Sequence, residues 1–284
     1  MFAIYQIGMM KSRSNITFVP DGGLANRMRA IAAAIRLSEQ IEANLEVIWF
    51  QDWGLKCDFE DLFLPIDREN VHLRNATMKD KLFYDRPRRR NFHLPVLFQK
   101  FLFDVRVGGT DCQHSKCDFM TICRNRNAWL SSCYYFFAQE IPKNAMEMFK
   151  RQERIQEEID KVAAKFGNHT VGVHIRRTDS QKSIVESPTH LFVEKMKQEP
   201  DNTIFYLATD SEEEKKTLKD VFGENRIITS ENEADRFTVS GMMDAMKDLY
   251  LLAKTDRILG SYGSSFSEIS SLIGKNQLEI IRKL

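Results

Sequence analysis

Hydrophobic and polar positions divide the chain into a patterned opening, a poorly patterned middle and a regular second half. Residues 14–19 form a short β-prone run that stops at Pro20-Asp21-Gly22-Gly23. Residues 24–41 then follow a helical pattern rich in Ala and Arg, and residues 45–50 are apolar and β-prone again. Strand, glycine turn, helix and strand make a βαβ unit, which implies a parallel sheet. From 52 to 140 the period weakens, with frequent aromatics and interruptions at Pro65, Pro87 and Pro95. Residues 142–166 carry the charged, 3.6-spaced signature of a long exposed helix with Ile155, Ile159 and Val162 as its inner stripe. Beyond it, residues 170–175, 203–208, 226–229, 257–259 and 278–281 are short apolar runs separated by helical patterns, as strands buried on both faces of a parallel sheet should be. The pattern predicts an α/β protein with an N-terminal domain over 1–145 and a doubly wound C-terminal domain over 146–284, and 284 residues suit two cores.

Composition narrows the function classes. With 43% hydrophobic, 29% charged and 11% aromatic residues this is an ordinary folded sequence, which excludes disorder and fibre. Forty-one Lys and Arg against forty Asp and Glu leave a net charge of +1, so no global field draws the chain onto nucleic acid and any anion site must be local. No apolar run approaches the roughly 20 residues of a bilayer-spanning helix. The apolar stretch 2–10 precedes its cationic residues, the reverse of a secretory signal, and a cytoplasmic protein is expected. Of five cysteines, Cys112, Cys117, Cys123 and Cys133 cluster around His114. Zinc is one reading of that cluster; reduced cytosolic thiols are the other, since no C-x2-C pair is present.

In doubly wound sheets, ligands bind beyond the carboxyl ends of the strands. Polar groups stand at four such ends: 21–27, 174–179, 208–211 and 260–268. A glycine turn leading into a helix lets backbone N–H groups approach a phosphate at the positive end of the helix dipole. In His174-Ile175-Arg176-Arg177-Thr178-Asp179, strand alternation sends Arg176 and Arg177 to opposite sides, so one arginine is expected at the ligand. A guanidinium fork suits a diphosphate because it binds two oxygens and does not titrate away. The other arginine is expected to pair with Asp179 and fix the loop. The rival interpretation is a purely structural ion pair with a satisfied histidine. Asp210 is expected to cap the helix begun by Glu212-Glu213-Glu214, with ligand contact as an added role.

In order, Gly22-Gly23-Leu24-Ala25-Asn26-Arg27, His174-Ile175-Arg176-Arg177-Thr178-Asp179, Leu207-Ala208-Thr209-Asp210, and the segment from Asp248 to Asp256 leading into Gly260-Ser261-Tyr262-Gly263-Ser264-Ser265-Phe266-Ser267 resemble the fucosyltransferase superfamily. That superfamily includes the α1,2-, α1,6- and protein O-fucosyltransferases and their nodulation-factor relatives. The likeness covers 21–36 and most of 170–268. It implies a GT-B-like pair of Rossmann-like domains with a cleft between them, GDP-fucose held mainly by the C-terminal domain, and inverting transfer to a glycan hydroxyl with no required metal or other cofactor. An arginine and backbone N–H donors can stabilise charge on the departing β-phosphate where other transferases use a divalent cation. The resemblance makes Arg176 the phosphate-binding arginine and Arg177 its companion. It puts His174 and Asp248 against the guanine or ribose and Ser264 and Ser265 in the turn near the phosphates. Gly22, Gly23, Asn26 and Arg27 would close on the diphosphate from the N-terminal domain. Glu186 matches the stretch that carries the proposed base in the α1,6 enzymes, with about two extra residues after Asp179, and Asp179 is the competing base. Glu268 stands where the α1,2 enzymes usually carry an aromatic.

Residues 86–107 join a basic cluster to Phe92, Leu94, Leu97, Phe101 and further apolar residues. They read either as a surface that rests on the inner face of a membrane or as a core helix flanked by solvated arginines. The expected partners are a GDP-sugar donor and a glycan or oligosaccharide acceptor, as in surface-polysaccharide assembly. Three rivals remain: transfer of another sugar from GDP, a non-catalytic nucleotide-sugar-binding module, and a zinc-dependent interaction protein.

Overall fold

The computed structural model describes residues 14–178, 180–230 and 235–283. Its first half is laid around β1 (Asn15–Pro20), buried from Ile16 onward. There follow α1 (Leu24–Gln40), β2 (Asn44–Trp49), α2 (Phe59–Leu62), β3 (Val71–Asn75), α3 (Asp80–Phe83), α4 (Pro95–Leu102), β4 (Val105–Gly108), α5 (Phe119–Cys123) and β5 (Asn127–Ser132). The five strands pair in parallel in the order β3-β2-β1-β5-β4.

The second half repeats the scheme around β6 (Thr170–Ile175), every residue of which is buried. Helix α6 (Glu153–Ala163) precedes it. After it come α7 (Gln181–Glu186), α8 (Thr189–Met196), β7 (Ile204–Thr209), α9 (Glu212–Phe222), β8 (Ile227–Thr229), α10 (Val239–Ala253), β9 (Arg257–Ser261), α11 (Ser265–Gly274) and β10 (Gln277–Ile281). This sheet is also parallel, ordered β10-β9-β6-β7-β8. Two parallel α/β sheets are therefore present, each with its first strand at the centre, as two Rossmann-like domains require.

Burial explains the layers. One continuous apolar core takes the inner face of the first sheet, α1, α6, α10 and α11, including Met28, Ile31, Ile155, Met246 and Ile269. The outer face of the second sheet has its own core of Val171, Val173, Phe205 and Leu207 under Phe192, Met196 and Leu218. The outer face of the first sheet is covered only by a small cluster of Val19, Ile48, Phe50, Phe103 and Trp129.

The expected strands are found within one residue of their predicted ends, except β9, which runs two residues further, to Ser261. The expected helix over 142–166 is shorter: it begins at Glu153, with Ile155 and Ile159 buried as foreseen. Its missing opening is a series of turns that sinks Ala145, Met146 and Phe149 into the core, which a straight amphipathic helix could not do.

Candidate functional site

The order of each sheet reverses at one place, between β1 and β5 in the first and between β6 and β9 in the second. Such switch points open a crevice at the carboxyl ends of the strands, where ligands bind in open α/β sheets. Both crevices lie along the seam between the halves, because α1 packs against α11. The Arg29 Nη1 of α1 reaches the Glu268 Oε2 of α11 at 3.1 Å. Arg29 also donates from Nε to the Cys133 carbonyl at 2.7 Å and lies over the Tyr134 ring. Arg29 is the sixth residue of α1 and Glu268 the fourth of α11. The bridge therefore joins the second turn of α1 to the first turn of α11, with both positive dipole ends at the same edge.

In the second half, Ser261 ties that edge together. Fully buried at the end of β9, it donates to the His174 carbonyl and accepts from the Arg176 backbone N–H, each at 3.1 Å. The start of the 176–178 loop is thereby fixed beside the turn 262–264 that opens α11. Ser264 caps α11 by accepting from the Phe266 N–H, and Ser265 is the helix's first residue. Gly263 turns the chain with φ +68°, a left-handed conformation that suits glycine. Arg176 is half-buried and has a further partner within the chain.

His174 is buried with its ring stacked on Phe266, centroids 4.9 Å apart, and its Nδ1 has no protein partner. Burial first, then the Arg176 charge, pulls the ring's pKa down to about 3, with Asp210 acting weakly the other way. The imidazole is therefore neutral near pH 7, able to offer one donor and one acceptor.

Arg177 faces inward. Its Nε donates to Glu214 Oε1 at 2.6 Å, its Nη2 to the Thr189 hydroxyl and its Nη1 to the Arg176 carbonyl. Its partner is thus Glu214, while Asp179, the expected one, lies outside the described residues. Asp210 does not cap α9; Ser211 does. Asp210 accepts the N–H groups of Arg177 and Thr178 and the Thr178 hydroxyl at 2.6 to 3.2 Å, binding the β6 loop to the end of β7.

The N-terminal edge is organised differently. Gly22 holds φ +83° and would set a Cβ only 2.9 Å from the Asn26 side chain, so the turn packs tightly onto α1. Gly23 starts α1 with no side-chain cap and no acid in the first turn, leaving its N–H groups to another acceptor. The expectation that Arg27 closes on a diphosphate is corrected. Its side chain is fully buried and bonded to the carbonyls of Gly22 and Phe50 and to Asp52, with its guanidinium over Trp49. Desolvation lowers its pKa, and Asp52 opposes that shift. Arg86 joins the network by bonding Asp21 and Asp52, and Arg88 pairs with Asp85. The basic run 86–90 is therefore split, with only Arg89 and Arg90 exposed.

One expected site residue, Asp248, sits elsewhere. Asp248 accepts from the Tyr206 hydroxyl at 2.6 Å, and Tyr206 pairs with Gly172, two residues short of His174; this is mid-sheet, below the carboxyl edge. Burial raises its carboxyl pKa to about 6. Glu186 ends α7 beside the β10 edge, where its carbonyl accepts from Lys283. The clustered cysteines do not converge: among the described residues no group of three or more His, Cys, Asp or Glu is placed to hold an ion. Burial pushes the Cys123 thiol up to about 12 and Cys112 in the same direction. Sequence reasoning quoted Ser261, Phe266 and Glu214 within their motifs without giving any of them a role, and it noted Glu268 only as a departure from a motif. A cavity of about 610 Å³, lined by Phe149, Arg151, Tyr250 and Ile273 among others, lies at the opposite, C-terminal ends of α10 and α11 and is separate from this edge.

No family model and no curated protein matches the chain. Solved structures do. The fucosyltransferase NodZ from Bradyrhizobium is 16% identical at a TM-score of 0.62, over 92% of this chain and 93% of that one. POFUT1 in complex with GDP-fucose is 13% identical at a TM-score of 0.60, over 94% and 98%. FUT1 of Arabidopsis thaliana in complex with GDP is 12% identical at a TM-score of 0.62, over 94% and 70%. Across nearly its whole length, the chain has the two-domain α/β fold of these fucosyltransferases.

Proposed function

We propose that the chain is a glycosyltransferase that moves fucose from GDP-fucose to a glycan hydroxyl, with inversion and without a required metal, and that it divides into domains 1–145 and 146–284. One observation carries the reading. At the seam, the Arg29–Glu268 bridge joins the second turn of α1 to the first turn of α11, and the Arg176 backbone is fixed to Ser261, next to the start of α11, at the second sheet's switch point. This is a local concentration of N–H donors and positive charge in a protein of net charge +1. The likeness to NodZ and POFUT1, both solved with GDP-fucose, gives that anion site a donor.

As the fucose–phosphate bond breaks, charge grows on the β-phosphate. Arg176 and the α11 amides from Ser265 onward stabilise it, aided by the α1 amides from Leu24 onward beside Asn26. Neutral His174, its Nδ1 unpartnered, takes a nucleoside hydroxyl or base edge. Arg177 acts as a positioning residue by holding the loop through Glu214. Glu186 is the proposed base. Its backbone lies at the β10 edge, two strand spacings or about 10 Å from β6, which leaves room for a sugar and an attacking hydroxyl between base and phosphate.

The test is transfer from GDP-fucose, with GDP-mannose as competitor, by wild type, Arg176→Lys and Glu186→Gln. Both variants should melt as wild type does and lose most transfer. Near-normal turnover by Arg176→Lys refutes its role.

A further inference from the structure

Helix α4 is packed inside out. The side chains it buries are Pro95 and a polar one, Gln99, which donates to the Asp85 carbonyl at 2.9 Å and leaves its Oε1 without a partner. Its apolar stripe points outward instead: Leu94, Leu97 and Phe101, at i, i+3 and i+7, are 43%, 56% and 92% exposed. In the turn that feeds the helix, Phe92 is 84% exposed. Phe92 and His93 both hold left-handed backbone, with φ 51° and 55°. Two consecutive non-glycine residues in that region are costly, and such strain persists where something else requires the conformation. A contiguous apolar patch of this kind marks an interaction surface.

Its rim names the occupant. Arg89, Arg90 and Lys100 are exposed around the stripe, and Lys79 and Lys81 are exposed on the adjoining α3. Two nearby acids are neutralised in place, Asp80 by Arg74 and Asp85 by Arg88, while the exposed Asp104 beyond the end of the helix keeps its charge and accepts from the Asn127 N–H. An apolar centre with aromatic tips and a mainly cationic rim, five exposed Arg and Lys against Asp104, complements a surface that is apolar inside and anionic outside.

We propose that α4 and the turn before it lie on an anionic lipid bilayer, with Phe92, Leu97 and Phe101 entering the boundary below the headgroups and Arg89, Arg90 and Lys100 against lipid phosphates. The contact is independent of the donor reading. Its consequence is geometric, because the same segment is bonded through Arg86 into the carboxyl edge of the first sheet, so docking holds that edge at a fixed height above the lipid.

The test is co-sedimentation with vesicles of equal parts phosphatidylglycerol and phosphatidylcholine, and with phosphatidylcholine alone. Wild type should pellet with the mixed vesicles and weakly with the neutral ones. Arg89→Ser with Arg90→Ser should weaken binding by about tenfold or more, and Leu97→Ser with Phe101→Ser should abolish it. All should melt alike, since these side chains are exposed. Wild type left in the supernatant, or variants that pellet as wild type does, overturns the proposal. So does light scattering that shows a dimer dispersed by the apolar variant without any vesicle binding, since the patch would then serve a second copy.

Discussion

The carboxyl edges of the two sheets begin from similar chemistry, a turn with arginines beside a helix, and use it in opposite ways. At the first edge, Arg27, Arg86 and Arg88 are spent on Asp21, Asp52 and Asp85, and the side chain of Arg27 is wholly enclosed. At the second, Arg177 is spent on Glu214 while Arg176 stays half-exposed beside the start of α11. The difference lies in enclosure: the Arg27 guanidinium is sealed from solvent, whereas the side chain of Arg176 is only half-buried and opens onto the edge where α11 begins. The first edge is a rigid wall and the second is where charge can be met.

The largest effect should come from breaking the wall. Arg27→Ala leaves Asp52 with Arg86 alone, strips the buried Gly22 and Phe50 carbonyls of their donor and opens a cavity, and should cost about 2–5 kcal/mol of stability, read as a lower urea midpoint, with transfer lost only in proportion to unfolded protein. Arg176→Ala should do the reverse: a much smaller drop in the urea midpoint and a fall in kcat/KM of about 10²–10³. Arg177→Ala falls between them. Glu214 loses a buried charge-assisted bond, at about 1.5–3 kcal/mol, and transfer declines because the loop that bears Arg176 loosens.

A pH series sharpens the comparison further. The folded pKa of Asp248, about 6, lies above its ordinary value of 3.8, so the folded state holds the proton more tightly and this carboxyl's contribution to stability falls as pH rises from about 4 to 6. His174 works the other way: with a folded pKa near 3 against 6.5, its contribution is lost as pH falls through that range. Asp248→Asn keeps the His174 slope and removes the other. It should match wild type near pH 4 and exceed it in stability above pH 6, and equal midpoints at pH 7.5 would contradict the assignment. The smallest effect belongs to the seam, where Arg29→Ala removes a partly exposed bridge and should cost about 1 kcal/mol or less, measured by thermal melting.

The strands were readable because a strand buried on both faces writes its burial as a continuous apolar run, as residues 170–175 do. The opening of the 142–166 helix was misread because Met146 and Phe149 share their spacing with a helix but reach the core through turns. At the site, the local signals were legible: the glycine turn at Gly22, the arginine pair after β6, and the serines before α11. The pairings that decide their roles join residues far apart in the chain. Arg177 meets Glu214 across 37 positions and Arg29 meets Glu268 across 239, and no local period records either. Arg27 shows the cost of that blindness, since its motif was visible and its enclosure by Phe50 and Asp52 was not.

Nucleotide binding measured by thermal shift tests the central claim most directly, with GDP, UDP and CDP compared on wild type and on Arg176→Lys. GDP at a hundredfold excess over its Kd should stabilise wild type by about 2.7 kcal/mol, UDP and CDP should add little, and the variant should lose most of the GDP response. Equal shifts with all three nucleotides, or a GDP shift that survives the substitution intact, would contradict it.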